Sequence, residues 1–281
     1  MRYSSVVRNT VRSLTQARKN RALSYNWNDN KIEYFFWEVN DFCNSMCKSC
    51  DIWKRKANKD FFSPDDINDI FKTGFFSEVK EIIVSGGEPF LHKQLFECIV
   101  KMSQYVHKDC LFSVSTNGLT PEKVVSFVDR MKTENVNFLI GISLDGVGES
   151  HDIARGVKGN FAKVDYLIDQ LKIKQDEYKK FNKDFGITVG STLSTQSLDW
   201  LIPVEEYTNQ KGVHFLPQMY EEFSYYGEYD QNDRFGSPIE NNTLTKEEYK
   251  GLNFLNNDLQ NSVLETLEAQ EPKFQKKIMI D

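Results

Sequence analysis

Three of the five cysteines fall within one short segment, Cys43-Asn-Ser-Met-Cys47-Lys-Ser-Cys50. Spaced C-x3-C-x2-C on a single loop, three thiolates can hold three corners of an iron–sulfur cubane. The fourth iron is then left without a protein ligand, open to a substrate or cofactor. Zinc is the competing occupant, but a structural zinc site closes with four ligands, usually as two pairs. No second pair follows here, and the nearest histidine downstream is His92. Cys98, inside a helical pattern, and Cys110, just before an apolar run, lack metal-binding spacing and are read as small buried hydrophobes.

Such a loop needs rigid support. The runs Ile32–Val39, Ile82–Val84, Leu111–Val114, Phe138–Leu144, Ile187–Leu193 and Val213–Leu216 are short and rich in Ile, Val, Leu and Phe. That is the pattern of parallel strands covered on both faces. Helical stretches separate them. Ser63-Pro64-Asp65 opens one as N-cap, proline and first-turn acid, and others cover roughly 92–106, 121–133, 160–176 and 198–211. Repetition of strand and helix implies right-handed βαβ units. The expected fold is α/β, a partial (β/α)6 TIM-like barrel with a parallel sheet, and the cysteines directly follow its first strand.

Three regions are expected along the chain. Residues 1–30 form a basic amphipathic helix, carrying Arg2, Arg8, Arg12, Arg18, Lys19 and Arg21, with Tyr3, Val7, Val11 and Leu14 recurring at helical spacing. It packs on the main domain in the plainer reading and touches an anionic membrane surface in the sharper one. Residues 31–220 form the barrel core. Residues 221–281 form a loop and a C-terminal helix striped by Leu252, Leu255, Leu259, Val263 and Leu267. The chain then stops abruptly at Lys277–Asp281, as one truncated or lacking a further domain would. With 40% hydrophobic residues a substantial core is affordable, and a net charge of −6 argues against nucleic acid as partner. No apolar stretch is long enough to span a bilayer and no secretory signal opens the chain, so the expected location is cytoplasmic and reducing.

The second strand ends in Ser85-Gly86-Gly87-Glu88-Pro89 and the third in Ser115-Thr116-Asn117-Gly118. The fourth ends in Ser143-Leu144-Asp145-Gly146, followed by Arg155-Gly156. Alone, Gly86-Gly87 and Asn117-Gly118 are ordinary turn sequences. In this order after C-x3-C-x2-C, at the carboxyl ends of strands, they make the chain resemble the radical S-adenosylmethionine (radical SAM) superfamily over roughly residues 31–220. Gly86–Pro89 matches that family's GGEP motif.

The resemblance implies a [4Fe–4S] cluster on Cys43, Cys47 and Cys50, with S-adenosylmethionine (SAM) at the open iron. It implies that Gly86, Gly87 and Glu88, turned by Pro89, meet the methionyl amino group. Ser115 and Asn117 would face the cofactor from the third strand, and Ser143 and Asp145 would reach its ribose hydroxyls. Arg155 would pair with its carboxylate, a group that a guanidinium matches bidentately. Plainer readings stand beside two of these: Ser115 as a turn residue and Arg155 as a surface charge.

By the same resemblance, the reduced cluster cleaves SAM to a 5′-deoxyadenosyl radical that abstracts hydrogen from a substrate. A low-potential electron donor of flavodoxin or ferredoxin type is then required. The segment Leu144–Gly156 looks most like the branch that includes peptide-maturing enzymes and their SPASM-domain relatives, yet no cysteine after Cys110 is available for an auxiliary cluster. Ser49 stands where the family commonly has an aromatic residue, with Phe42 or Trp53 as substitutes. The substrate (peptide, sugar, lipid or small metabolite) and the hydrogen-atom donor are not identified. A non-catalytic iron–sulfur sensor that retains the fold is the alternative, and a zinc-binding module is a third reading.

Overall fold

The computed structural model describes residues 32–54, 61–193 and 197–219. The expected N-terminal helix and C-terminal extension lie outside these residues.

All six apolar runs form strands: β1 (Tyr34–Glu38), β2 (Glu81–Ser85), β3 (Leu111–Thr116), β4 (Asn137–Ser143), β5 (Gly186–Leu193) and β6 (His214–Met219). They join in one sheet in chain order, and every neighbouring pair is parallel. β1 and β6 stand at opposite edges, so the sheet is an open, partial barrel. Helices connect the strands: α1 (Pro64–Phe71), α2 (Leu95–Ser103), α3 (Pro121–Met131), α4 (Glu149–Arg155), α5 (Asn160–Lys179) and α6 (Leu201–Lys211). The start of α1 follows its sequence signature. Ser63 Oγ accepts the Asp66 amide at 3.2 Å, while Asp66 Oδ2 accepts the Ser63 amide at 2.8 Å.

Among the described residues, the expected covering of both sheet faces holds for only one. Ile82, Val84, Phe112, Val114, Phe138, Ile140, Ile142 and Val189 are buried with Val124, Val128, Met131, Val164, Leu167 and Ile168 of α3 and α5 in one core. Each such side chain contributes about 1.5–3 kcal/mol on burial. On the other face Phe36 is 52% and Ile83 38% exposed. The reason is partial closure: six strands curve without meeting, so the inner face stays open. Toward the strand carboxyl ends that face becomes small and polar. Ser115 pairs in register with Gly141, Gly141 with Thr188, and Ser143 with Gly190.

Helix α4 was not foreseen. It has only seven residues and starts after Gly148 with no side-chain cap, so neither periodicity nor capping announces it. It proves central to the site.

Candidate active site

The cysteine loop is held between two walls. The first is the end of β2. Beyond β1 the chain runs alongside the Gly86-Gly87 turn: the Val39 amide donates to Ser85 O (2.9 Å), Gly87 N to Asn40 O (2.8 Å) and Glu88 N to Phe42 O (2.8 Å). Asn40 Nδ2 closes the set on Glu88 O at 2.9 Å. A Cβ on Gly86 would overlap the Asn40 carbonyl, and one on Gly87 the Phe42 carbonyl. Gly86 also holds φ +121°, a region costly for any other residue. Both glycines are therefore required by the approach of the cysteine loop's own backbone, before any ligand is considered.

The second wall is the carboxyl end of α4. Helix ends leave carbonyls without intrahelical partners, and the loop supplies them. Met46 N donates to Arg155 O and Lys48 N to Ala154 O, both at 3.1 Å. Ser45 Oγ donates to Arg155 O at 3.0 Å. Gly156 ends the helix at φ +65°, and a Cβ there would strike the Met46 carbonyl.

Donors converge on the sulfurs. The Ser45 amide lies 3.4 Å from Cys43 Sγ and Asn117 Nδ2 lies 3.6 Å from it. Cys47 Sγ receives Arg155 Nη1 at 3.7 Å, and lies 3.2 Å from Ser45 Oγ, whose own proton is directed to Arg155 O. Burial pushes the Cys43 thiol up to about 11 despite the Ser45 amide, and raises Cys50 as well. Thiols so placed become thiolates when iron takes the proton's place. A surround of N–H groups then suits them, because hydrogen bonds to sulfur are part of how proteins hold iron–sulfur clusters. Among the described residues no three His, Cys, Asp or Glu side chains form a group fit for a single metal ion. A cubane does not require one, since each thiolate binds a different iron.

Residues 37–181, just over half of the chain, match the sequence profile of the Radical SAM superfamily. The chain belongs to that superfamily. Its relatives include a probable GTP 3′,8-cyclase of Methanocaldococcus jannaschii, 28% identical over 144 residues, which cover 48% of this chain and 46% of that protein. Another is the pre-heme d1 synthase of Dinoroseobacter shibae, 32% identical over 132 residues, 44% of this chain and 30% of that one. The chain thus spans less than half the length of either. Among solved structures, SuiB of Streptococcus suis bound to S-adenosylmethionine superposes with a TM-score of 0.54. That match has 16% identity, covers 81% of this chain and 49% of SuiB, and shows a shared fold.

Within this radical SAM core, the residues expected to meet SAM lie at strand ends, but several are engaged with one another. Glu88 is turned inward. Its carboxylate accepts Asn117 N (2.7 Å), Thr116 Oγ (2.9 Å) and Phe90 N (3.2 Å), and is buried beneath the site. Burial raises it to about 7 against the pull of those donors. Pro89 begins a single 3₁₀ turn that Glu88 caps. Asn117 tethers the cysteine loop, donating to Asn44 Oδ1 at 2.8 Å. Ser115 Oγ donates back to Val84 O at 3.1 Å, and Ser143 stands half-buried on the inner face of β4.

Asp145 and Arg155 are partners. Arg155 Nε lies 2.8 Å from Asp145 Oδ2, Asp145 buried and the Arg155 side chain 12% exposed, in an ion pair whose N–H is not aligned as a hydrogen bond. Asp145 Oδ1 also accepts Thr192 N at 2.8 Å. Burial opposes the guanidinium charge, but Asp145 and the Cys47 sulfur outweigh it and keep Arg155 cationic. His151, completely buried, accepts the Asp145 amide at Nδ1 (3.1 Å); burial, then Arg155, lowers it to about 4, so it is neutral near pH 7. Of the two aromatics considered in place of Ser49, Trp53 donates from Nε1 to Cys47 O at 3.2 Å, whereas Phe42 is 44% exposed.

Sequence reasoning passed over Asn40, Ser45, His151 and Thr192. Only Ser45 carried a local signal, as a small donor between two candidate ligands. The others act through tertiary contacts that spacing does not encode.

Proposed function

We propose that this chain is a radical SAM enzyme with one [4Fe–4S] cluster on Cys43, Cys47 and Cys50. The carrying observation is the loop clamped between the Gly86-Gly87 turn and the end of α4, with donors aimed at the Cys43 and Cys47 sulfurs. When bound, the reduced cluster and SAM supply a 5′-deoxyadenosyl radical that abstracts hydrogen from substrate.

The protein's own residues supply position. Gly86, Gly87, Glu88 and Pro89 keep the cysteine loop against β2 and turn backbone groups toward the cofactor's amino end. Ser115, Asn117 and Ser143 line the strand ends beside it. Asp145 and Arg155 offer a carboxylate and a guanidinium to the ribose and carboxylate, while bracing each other. The open inner face, small and polar where Ser115, Gly141, Thr188 and Gly190 adjoin, is the proposed approach for substrate.

The core unit of the proposal is residues 31–220, flanked by the basic segment 1–30 and the extension 221–281. Its partners are a flavodoxin- or ferredoxin-type donor and one substrate, in a reducing compartment such as the cytoplasm. The described residues contain no helix long and apolar enough to cross a membrane. Segment 1–30 is the candidate for contact with an anionic membrane surface.

The test is anaerobic reconstitution with iron and sulfide, followed by dithionite and SAM. The expected product is 5′-deoxyadenosine with methionine. A cluster spectrum without that product would support a sensor, and zinc without iron would end the proposal.

A further inference from the structure

Cys47 differs from its two neighbours in what surrounds its sulfur. It is the most buried of the three, at 9% exposure, and the Arg155 guanidinium reaches its sulfur. That guanidinium is balanced by Asp145 at 2.8 Å, in a setting where only 12% and 5% of the two side chains is exposed. Charges so shielded from water act strongly on a neighbour. The same arginine's carbonyl accepts Met46 N and Ser45 Oγ, so loop and guanidinium are held in one register.

We propose that Arg155 and Asp145 form a charge balance that sets the reduction potential of the cluster through Cys47, Arg155 raising it and Asp145 restraining it. This rests on the cluster assignment above. Reduction adds one negative charge to the cluster. A cation and its N–H on a ligand sulfur stabilise the reduced form, and a nearby carboxylate opposes that. Cys50 also feels the Arg155 charge, and besides the cluster cysteines His151 and Glu88 face the pair. His151 is neutral near pH 7 and adds no charge, and Glu88, which acts on both Arg155 and Cys43, is the same in every variant compared. Neither changes the sign expected for each member of the pair.

The test is a redox titration of the full-length reconstituted protein, followed by electron paramagnetic resonance in the absence of SAM. Arg155→Gln is expected to lower the midpoint, and Arg155→Lys to keep it near wild type. Asp145→Asn, which preserves an acceptor for Thr192 N, is expected to raise it. At fixed potential the ratio of reduced to oxidised cluster should shift about tenfold in each direction, about 59 mV for a one-electron couple. If Arg155→Gln assembles no cluster, the Asp145→Asn arm decides. Assembled clusters whose midpoints equal wild type, or move with the same sign in both neutralising variants, overturn the charge balance while leaving the enzyme assignment standing. No iron–sulfur cluster in the wild-type chain would overturn both.

Discussion

Two buried carboxylates close the ends of strands on either side of the cysteine loop, and they are kept there by different means. Glu88, after β2, is 1% exposed and is held by three neutral donors. Asp145, after β4, is 5% exposed and faces a guanidinium. Neutral donors fix position without supplying full charge, so burial still lifts Glu88 to about 7. A counter-ion supplies both. The region around β2 is thus a mechanical clamp, whereas the region around β4 and α4 also places charge beside a sulfur.

The largest expected effect comes from removing the counter-ion. Asp145→Ala leaves the Arg155 charge buried and unpaired, and should destabilise the fold by about 3–5 kcal/mol. Denaturant melts check this against Glu97→Ala, which breaks the exposed pair with Arg130 (2.5 Å) and should cost about 0–1 kcal/mol. Equal costs would erase the distinction between the regions.

Next comes Glu88→Gln, whose amide cannot accept every donor and should cost about 1–3 kcal/mol at pH 5. A carboxyl raised in the folded state stabilises most below its unfolded value of 4.5, and loses that contribution as pH rises through about 7. The wild type should lose about 3 kcal/mol over that window relative to the variant, so the gap closes or reverses by pH 8. Melts at pH 5, 6, 7 and 8 measure it; a constant or widening gap would contradict the burial of Glu88.

The smallest effect within the site is expected at Ser115, which lies between the two carboxylates on β3. Ser115→Ala removes one hydrogen bond to Val84 O and should cost about 0.5–1.5 kcal/mol, independent of pH. A pH-dependent loss in the same melts would mean that Ser115 is coupled to Glu88.

Much of the support was legible in the sequence, because apolar runs and caps are local signals. All six strands fall on their runs, and Ser63 caps α1 as its dipeptide with Pro64 suggests. Helix α4 was not legible, being short, uncapped and entered through Gly148 at φ +68°. In the site, the family resemblance marked Gly86, Gly87, Asp145 and Arg155, but not their nearest partners. The two glycines touch the backbone of Asn40 and Phe42, and Asp145 meets an arginine on another element. Such pairings arise only when β1, β2, β4 and α4 come together, and one sequence carries no trace of that contact.

The most direct measurement is the iron and sulfide content, with the visible spectrum, of anaerobically reconstituted wild type beside Cys47→Ala and Cys98→Ala. A full cubane in wild type and Cys98→Ala, and none in Cys47→Ala, is the predicted result. An undiminished cluster in Cys47→Ala, or zinc in place of iron in wild type, would contradict the central claim.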